Sequence, residues 1–149
     1  VFKMPKKPLH TAVTTTLDHL LSAVLPGDWH TRRQEPITLE DGEPEPDVAV
    51  VRGGVASYRT RHPYADDVAI VVEVSDTTLR KDRGVKLRSY ARAKLGVYWI
   101  VNLINQSVEV HTDPTGQAPE PTYRDRAVHS IGERVPVIVD GVELGAVDV

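Results

Sequence analysis

The chain has 149 residues, 40% of them hydrophobic, which is enough for one compact domain with its own core, so we expect residues 1–149 to form a single domain. It has no cysteine and no apolar run as long as a membrane span, which excludes disulfides, thiolate zinc sites and a membrane-embedded segment and favours a cytoplasmic location. The formal net charge of −3 argues against a uniformly basic nucleic-acid-binding surface. Because the first residue is Val1 rather than Met, we expect an N-terminal segment to precede it.

The first half of the chain predicts one helix followed by short strands. Apolar residues recur at three- and four-residue spacing from His10 to Leu25, which predicts a helix that stops at Pro26. Residues 36–39 and 47–51 are predicted strands that each lead into a glycine-containing turn, so they suggest a hairpin. The polar residues 53–67 are predicted to form a surface loop.

The second half predicts a buried strand, a helix and another buried strand in succession. Residues 68–74 are a near-continuous β-branched run, typical of a strand buried on both faces. A helix is predicted from Lys81 to Lys94 and a strand from Val97 to Val101, and these dimensions indicate a crossover between parallel strands. Later strands are predicted at 107–111 and 135–139, with 112–121 looping out. The order of elements predicts an α/β fold with a central mixed sheet flanked by helices.

Glu73 is a carboxylate inside the predicted central strand, where a plain core strand would have none. Burying an ionised carboxylate without compensation is costly, so Glu73 should be paired, neutralised or used at the edge of a site. Asp47 opens a neighbouring predicted strand. Asp82, Lys86 and Tyr90 are four residues apart on the predicted helix, which places them on one stripe. If that stripe leans over the strand, Lys86 reaches the region of Glu73.

Two carboxylates and a lysine around one point form a hard-oxygen site that suits Mg²⁺ or Mn²⁺ and the hydrolysis of phosphodiesters. The same spacing also fits a structural ion pair between Glu73 and Lys86 that only fixes the helix on the sheet. Gln34 and Glu45 are weaker candidates for the rim of the site. The histidines show no metal-ligand spacing, and we interpret them as ordinary surface or capping residues: His10, His19, His30, His62, His111 and His129.

Several motifs occur together in a recognisable order. They are Pro46-Asp47, Glu73-Val74-Ser75, Asp82, Lys86, Tyr90-Ala91 and the run from Gly96 to Asn102. From about residue 8 to residue 112 the chain resembles the Uma-two family of restriction endonuclease-like proteins, within the PD-(D/E)XK nuclease superfamily. The resemblance implies a restriction endonuclease-like core in which Asp47 and Glu73 are metal ligands and catalytic residues. The lysine expected two residues after the acid is here Ser75, and Lys86 on the helix matches the position to which the family has moved it.

The resemblance leads to a first hypothesis, a Mg²⁺- or Mn²⁺-dependent endonuclease that hydrolyses DNA with Asp47, Glu73 and Lys86. A homodimer is plausible because cleavage of a duplex needs two active sites. A run of basic residues would hold the phosphate backbone, although it also fits a solvated helix face: Arg80, Lys81, Arg83, Lys86, Arg88, Arg92 and Lys94.

Two other hypotheses compete with the nuclease. One is a catalytically inactive nuclease fold that serves as a binding or oligomerisation module, with a structural Glu73–Lys86 ion pair. The other is a glycosidase that uses Asp47 and Glu73 as paired carboxylates. The glycosidase fits less well, because the nearby lysine suits phosphate and no aromatic sugar-binding surface is evident.

Overall fold

The computed structural model describes residues 6–130 and 132–148. The chain begins with helix α1 (Pro8–Val24) and a strand pair, β1 (Trp29–Arg33) and β2 (Val48–Arg52). Two short 3-10 turns, Val55–Tyr58 and Ala65–Asp67, lead into β3 (Val68–Ser75). The next segment is helical throughout and is called the crossover helix here: α2 (Leu79–Lys81), a π-helical turn (Asp82–Lys86) and α3 (Leu87–Arg92). The remaining strands are β4 (Val97–Asn102), β5 (Ser107–Pro114), β6 (Tyr123–Ser130), β7 (Arg134–Val139) and β8 (Val142–Asp148).

The main sheet has six strands in the order β1-β2-β3-β4-β5-β6, and β7 pairs with β8 in a separate hairpin. Strands β3 and β4 are parallel, with Ile70 opposite Val97 and Ser75 opposite Asn102, whereas the other neighbours are antiparallel. The crossover helix joins the two parallel strands, so the predicted crossover and the predicted mixed sheet are confirmed. Among the described residues, no helix is both long enough and apolar enough to cross a membrane.

The central strands are buried because both faces of the sheet are covered. On one face, α1 and the β7–β8 hairpin pack on sheet residues such as Val72 and Trp99. On the other face, Tyr90 of the crossover helix and Leu95, which follows the helix, pack on the same strands. All eight residues of β3 are therefore buried, as its continuous apolar sequence predicts.

The predicted pairing of residues 36–39 with 47–51 is wrong. The partner of β2 is β1, with His30 opposite Val51, while residues 36–39 make only isolated bridges from Thr38 to Tyr64 and from Leu39 to Gly42. The sequence pattern did not predict strand β1, because the strand lies at the edge of the sheet, where only Trp29 is buried and the other side chains are polar.

Two more strands were missed, and one helix boundary shifts. The predicted loop over 112–121 is shorter than expected, because β5 runs to Pro114 and β6 begins at Tyr123. Strand β6 is polar because it is the last strand of the sheet and is exposed on both faces. Strand β8 pairs with β7 beside α1. The crossover helix starts two residues before the predicted Lys81 and includes a π-helical turn, which periodicity does not reveal.

Candidate active site

Asp47 lies just before β2 and points into a cleft of about 470 Å³. Because β2 is antiparallel to β3, with Val48 opposite Val72, Asp47 comes beside the second half of β3. Its Oδ2 accepts a hydrogen bond of 2.8 Å from the backbone N–H of Val74 and lies 3.3 Å from Nε2 of His10. Its Oδ1 lies 3.4 Å from Nζ of Lys6, so three groups hold a carboxylate that is only 4% exposed.

Glu73 lines the same cleft from the middle of β3 and is only 2% exposed. The Tyr90 hydroxyl donates a hydrogen bond of 2.6 Å to its Oε2, and Nζ of Lys86 lies 3.3 Å from its Oε1. Burial raises the pKa of Glu73 to about 7, with a further contribution from the charge of Asp47, although Lys86 and Tyr90 oppose the shift. The two carboxylates therefore repel each other in a poorly solvated cleft.

Lys86 lies between two carboxylates. Its Nζ is 3.3 Å from Oε1 of Glu73 and 3.2 Å from Oδ1 of Asp82, one turn earlier. Burial alone would lower the pKa of Lys86, but the two carboxylates more than offset this and hold the pKa above its usual value. Lys86 is therefore a charged ammonium group at neutral pH.

Asp82 is buried and fixes the start of the π-helical turn. It accepts hydrogen bonds from the hydroxyls of Ser75 and, at 2.8 Å, Thr78, while the Tyr98 hydroxyl donates to its backbone carbonyl at 2.9 Å. The Ser75 hydroxyl thereby links β3 to the crossover helix. The helix is thereby held so that Lys86 faces Glu73.

The interpretation of His10 and His111 as ordinary surface or capping residues is wrong. His10, on the first turn of α1, is buried and contacts Asp47. Its spacing of seven and eleven residues from Leu17 and Leu21 was the available signal, because it places His10 on the buried face of the helix. His111 is buried on β5, where its Nε2 lies 3.2 Å from Oε1 of Glu109.

Gln34 and Glu45, the weaker candidates, are placed differently. Glu45 is exposed and lines the cleft, as expected for a rim residue. Gln34 is exposed at the end of β1, and its backbone N–H, rather than its side chain, contacts the carbonyl of Asp47 at 3.2 Å. Gln34 is not among the residues that line the cleft.

The residues of the predicted basic run differ in their pairing and in their exposure. Arg83 makes two hydrogen bonds to Glu109, a buried carboxylate on β5 that the sequence did not single out, and these bonds hold the pKa of Glu109 below its usual value despite burial. Arg92 donates to Asp41 at 2.7 Å. The exposed members of the run are Arg80, Lys81, Arg83, Arg88 and Lys94.

The carboxylates of the cleft fit a small, hard cation. Mg²⁺ is usually held by one or two carboxylates with several waters, and Asp47 and Glu73 are two such groups in one cleft. A cation between them would offset the burial and the repulsion from Asp47, which together raise the pKa of Glu73. Over residues 6–130 and 132–148, no cluster of three or more His, Asp or Glu side chains has a metal-binding arrangement.

Comparison with known proteins agrees with this fold. No curated protein matches the chain. A crystal structure described as "a putative nuclease belonging to DUF820", from Anabaena variabilis, matches with a TM-score of 0.59 and 16% identity over 97% of this chain and 81% of that one. The predicted restriction endonuclease-like α/β fold is therefore confirmed. The model of the Uma2 family, described as "Putative restriction endonuclease", matches residues 1–144. As the sequence motifs predicted, the chain belongs to the Uma2 family.

Proposed function

We propose that the protein is a Mg²⁺- or Mn²⁺-dependent endonuclease that hydrolyses DNA phosphodiester bonds by a PD-(D/E)XK-type mechanism. The observation that carries the proposal is the meeting of the Asp47 and Glu73 carboxylates with the Lys86 ammonium group in one cleft. The description of the Uma2 family supports a nuclease. The single domain over residues 1–149 and the cytoplasmic location stay predictions.

Asp47 and Glu73 are the proposed ligands of the metal ion. When bound, the ion supplies positive charge that stabilises the negative charge developing on the phosphate oxygens. The protein orients both carboxylates in advance, since Tyr90 fixes Oε2 of Glu73 and the N–H of Val74 fixes Oδ2 of Asp47. In each carboxylate the second oxygen contacts a lysine: Lys86 for Glu73 and Lys6 for Asp47.

Lys86 is the proposed electrostatic catalyst. Its charged Nζ is held by Glu73 and Asp82, and its side chain is 29% exposed, so it can donate a hydrogen bond to a phosphate oxygen in the cleft. A lysine at the position of Ser75 would extend from strand β3, whereas Lys86 reaches the cleft from the crossover helix. We propose that Lys86 performs the function that a strand lysine performs elsewhere in the superfamily.

The proposed substrate, DNA, would meet cationic side chains around the cleft. Lys6 and Lys7, just before α1, line the cleft. Exposed Arg80 and Lys81, on α2, follow Thr77 and Thr78, which also line it. Such side chains neutralise backbone phosphates without reading sequence.

The proposal is tested with supercoiled plasmid and Mg²⁺ or Mn²⁺. Wild-type protein should nick or linearise the plasmid, and Glu73→Gln and Asp47→Asn should lower the rate about 100-fold or more. Glu143→Gln, an exposed carboxylate on β8, is the matched control and should cleave like wild type. Equal cleavage by wild type and Glu73→Gln would show that the activity does not come from this cleft.

The alternative, an inactive binding or oligomerisation module, is favoured by one observation. Each carboxylate of the cleft already has a cationic neighbour, since Lys6 lies beside Asp47 and Lys86 beside Glu73. Mn²⁺ titration followed by electron paramagnetic resonance separates the two functions. A nuclease should bind Mn²⁺ in wild type and lose binding in Asp47→Ala, whereas a structural ion pair should bind no Mn²⁺ in either protein.

A further inference from the structure

Strand β6 is a long edge strand with solvent on both faces. It spans eight residues and ends the six-stranded sheet, and over the described residues no strand pairs with its outer edge. Arg124 to Val128 are exposed whichever face they point to. The opposite edge is different, because β1 has only five residues and α1 is bonded to it through Ser22–Thr31 and Thr15–Arg33. An unpaired edge of the length of β6 is a template for adding another strand.

We propose that β6 pairs antiparallel with β6 of a second copy of the chain, so that the two six-stranded sheets become one continuous sheet. The two copies are related by a two-fold axis perpendicular to the sheet, which keeps each residue on the same face in both copies. Directly opposed residues in a sheet share a face. The axis must therefore pass midway between the two copies of one residue, which lie opposite each other.

The charges and the length of β6 select Ala127 as that residue. With the axis at Ala127, Asp125 faces His129 of the partner subunit and Arg126 faces Val128 of the partner subunit. An axis at Arg124, Asp125, Arg126 or His129 would place a charged residue or a histidine opposite its own copy, and like charges that face each other directly destabilise a sheet. An axis at Tyr123, Val128 or Ser130 has no such repulsion on the axis but pairs a shorter segment.

The register also places the two candidate sites on one face. Across the sheet Glu73 is opposite Ile100, Ile100 is opposite Glu109, and Glu109 is opposite Val128. Glu73 is thus in line with a residue next to the proposed axis. Seven strand spacings of about 4.8 Å separate β3 from its counterpart, and the twist of about 20–25° at each spacing turns the two clefts to nearly opposite directions.

The absence of cysteine from the chain gives a direct test by disulfide trapping. Ala127→Cys should form a disulfide-linked dimer under mild oxidation, because directly opposed Cα atoms in an antiparallel pair lie about 4.5–5.5 Å apart, within disulfide range. Arg124→Cys is the matched control on the same exposed strand. In the proposed register its sulfur would be about 20 Å from its counterpart along the strand, so it should not cross-link.

Sedimentation velocity over a concentration series tests the native protein. Wild type and Ala127→Ser should show a monomer–dimer equilibrium, and Ala127→Asp should remain monomeric, because it places two carboxylates on the axis. Circular dichroism and Mn²⁺ binding of Ala127→Asp should match wild type. A wild type that is monomeric throughout, or equal cross-linking of Ala127→Cys and Arg124→Cys, would overturn the dimer. If the protein is a dimer but cleaves no plasmid, only the proposed nuclease function is contradicted. If a monomeric protein cleaves the plasmid, only the proposed dimer is contradicted.

Discussion

The Tyr90 hydroxyl donates a hydrogen bond of 2.6 Å to Oε2 of Glu73, which joins the crossover helix to the centre of β3. Both groups are buried, so removing the donor leaves a carboxylate oxygen without a partner. The bond fixes Glu73 so that its other oxygen, Oε1, contacts Lys86. Tyr90 is thus a positioning residue for the candidate site.

Tyr90→Phe should lower the free energy of unfolding by about 1–2 kcal/mol, measured by urea denaturation, and should weaken Mn²⁺ binding. Tyr123→Phe is the matched control, because Tyr123 is also a buried phenol but donates to the carbonyl of Leu95, away from the cleft. The control should lose similar stability and bind Mn²⁺ like wild type. Equal Mn²⁺ affinity in all three proteins would remove Tyr90 from the site.

The pKa of Glu73 predicts a pH-dependent stability. Below about pH 4.5 Glu73 is protonated in both the folded and the unfolded state, and Glu73→Gln should have little effect. As the pH rises from there through about 7, the folded state keeps a proton that the unfolded state has lost, so the free energy of unfolding falls. By about pH 8, without metal, Glu73→Gln should be more stable than wild type by about 3 kcal/mol.

Urea denaturation of both proteins at several pH values measures this difference. Glu143→Gln, at an exposed position on β8, controls for the general effect of removing a negative charge. Its free energy of unfolding should depend on pH as that of wild type does. A stability difference between wild type and Glu73→Gln that does not change with pH would contradict the raised pKa.

Lys86→Met should destabilise the protein by about 2 kcal/mol near pH 8, because it leaves Glu73 and Asp82 without their shared cation. The loss should be smaller near pH 5, where Glu73 takes up a proton. The double variant Lys86→Met/Glu73→Gln should recover part of the stability, since only Asp82 then lacks its partner. Additive effects of the two substitutions would show that the side chains do not interact.

His10→Ala should weaken Mn²⁺ binding about 10-fold, because the imidazole contacts Oδ2 of Asp47 and helps to orient a proposed metal ligand. His10→Gln keeps a side-chain donor and should recover part of the affinity. His19→Ala, an exposed histidine on the same helix, is the control and should bind like wild type. Calorimetric titration with Mn²⁺ measures all four proteins, and equal loss in His10→Gln and His10→Ala would indicate a purely structural role.

The sequence predicted those features that depend on spacing within one element. The alternation of β3 correctly places Glu73 on the face toward the crossover helix. The four-residue spacing correctly places Asp82, Lys86 and Tyr90 on one stripe of that helix. The replacement of the expected lysine by Ser75 was also visible. Its hydrogen bond to Asp82 was not, because that contact depends on how the helix packs on the strand.

The edges of the sheet and the contacts between distant segments could not be predicted. Strands β1 and β6 carry polar residues because water, rather than another layer, meets much of their surface. Periodicity therefore gives them no apolar pattern. The contact of His10 with Asp47 joins residues 37 positions apart, and only the packing of α1 against the sheet brings them together.

The candidate site combines near and distant parts of the chain. Glu73, Asp82 and Lys86 belong to a single strand–helix unit, whereas Asp47 is 27 residues from Val74, to which it is bonded. Contacts between residues near in sequence require less loop-closure entropy and tend to form earlier in folding. The Glu73–Lys86 pair should therefore form first, and the second carboxylate should arrive only when β2 docks. A local opening of the β1–β2 edge would then separate Asp47 from Glu73 and abolish the proposed metal binding while the rest of the sheet stays folded.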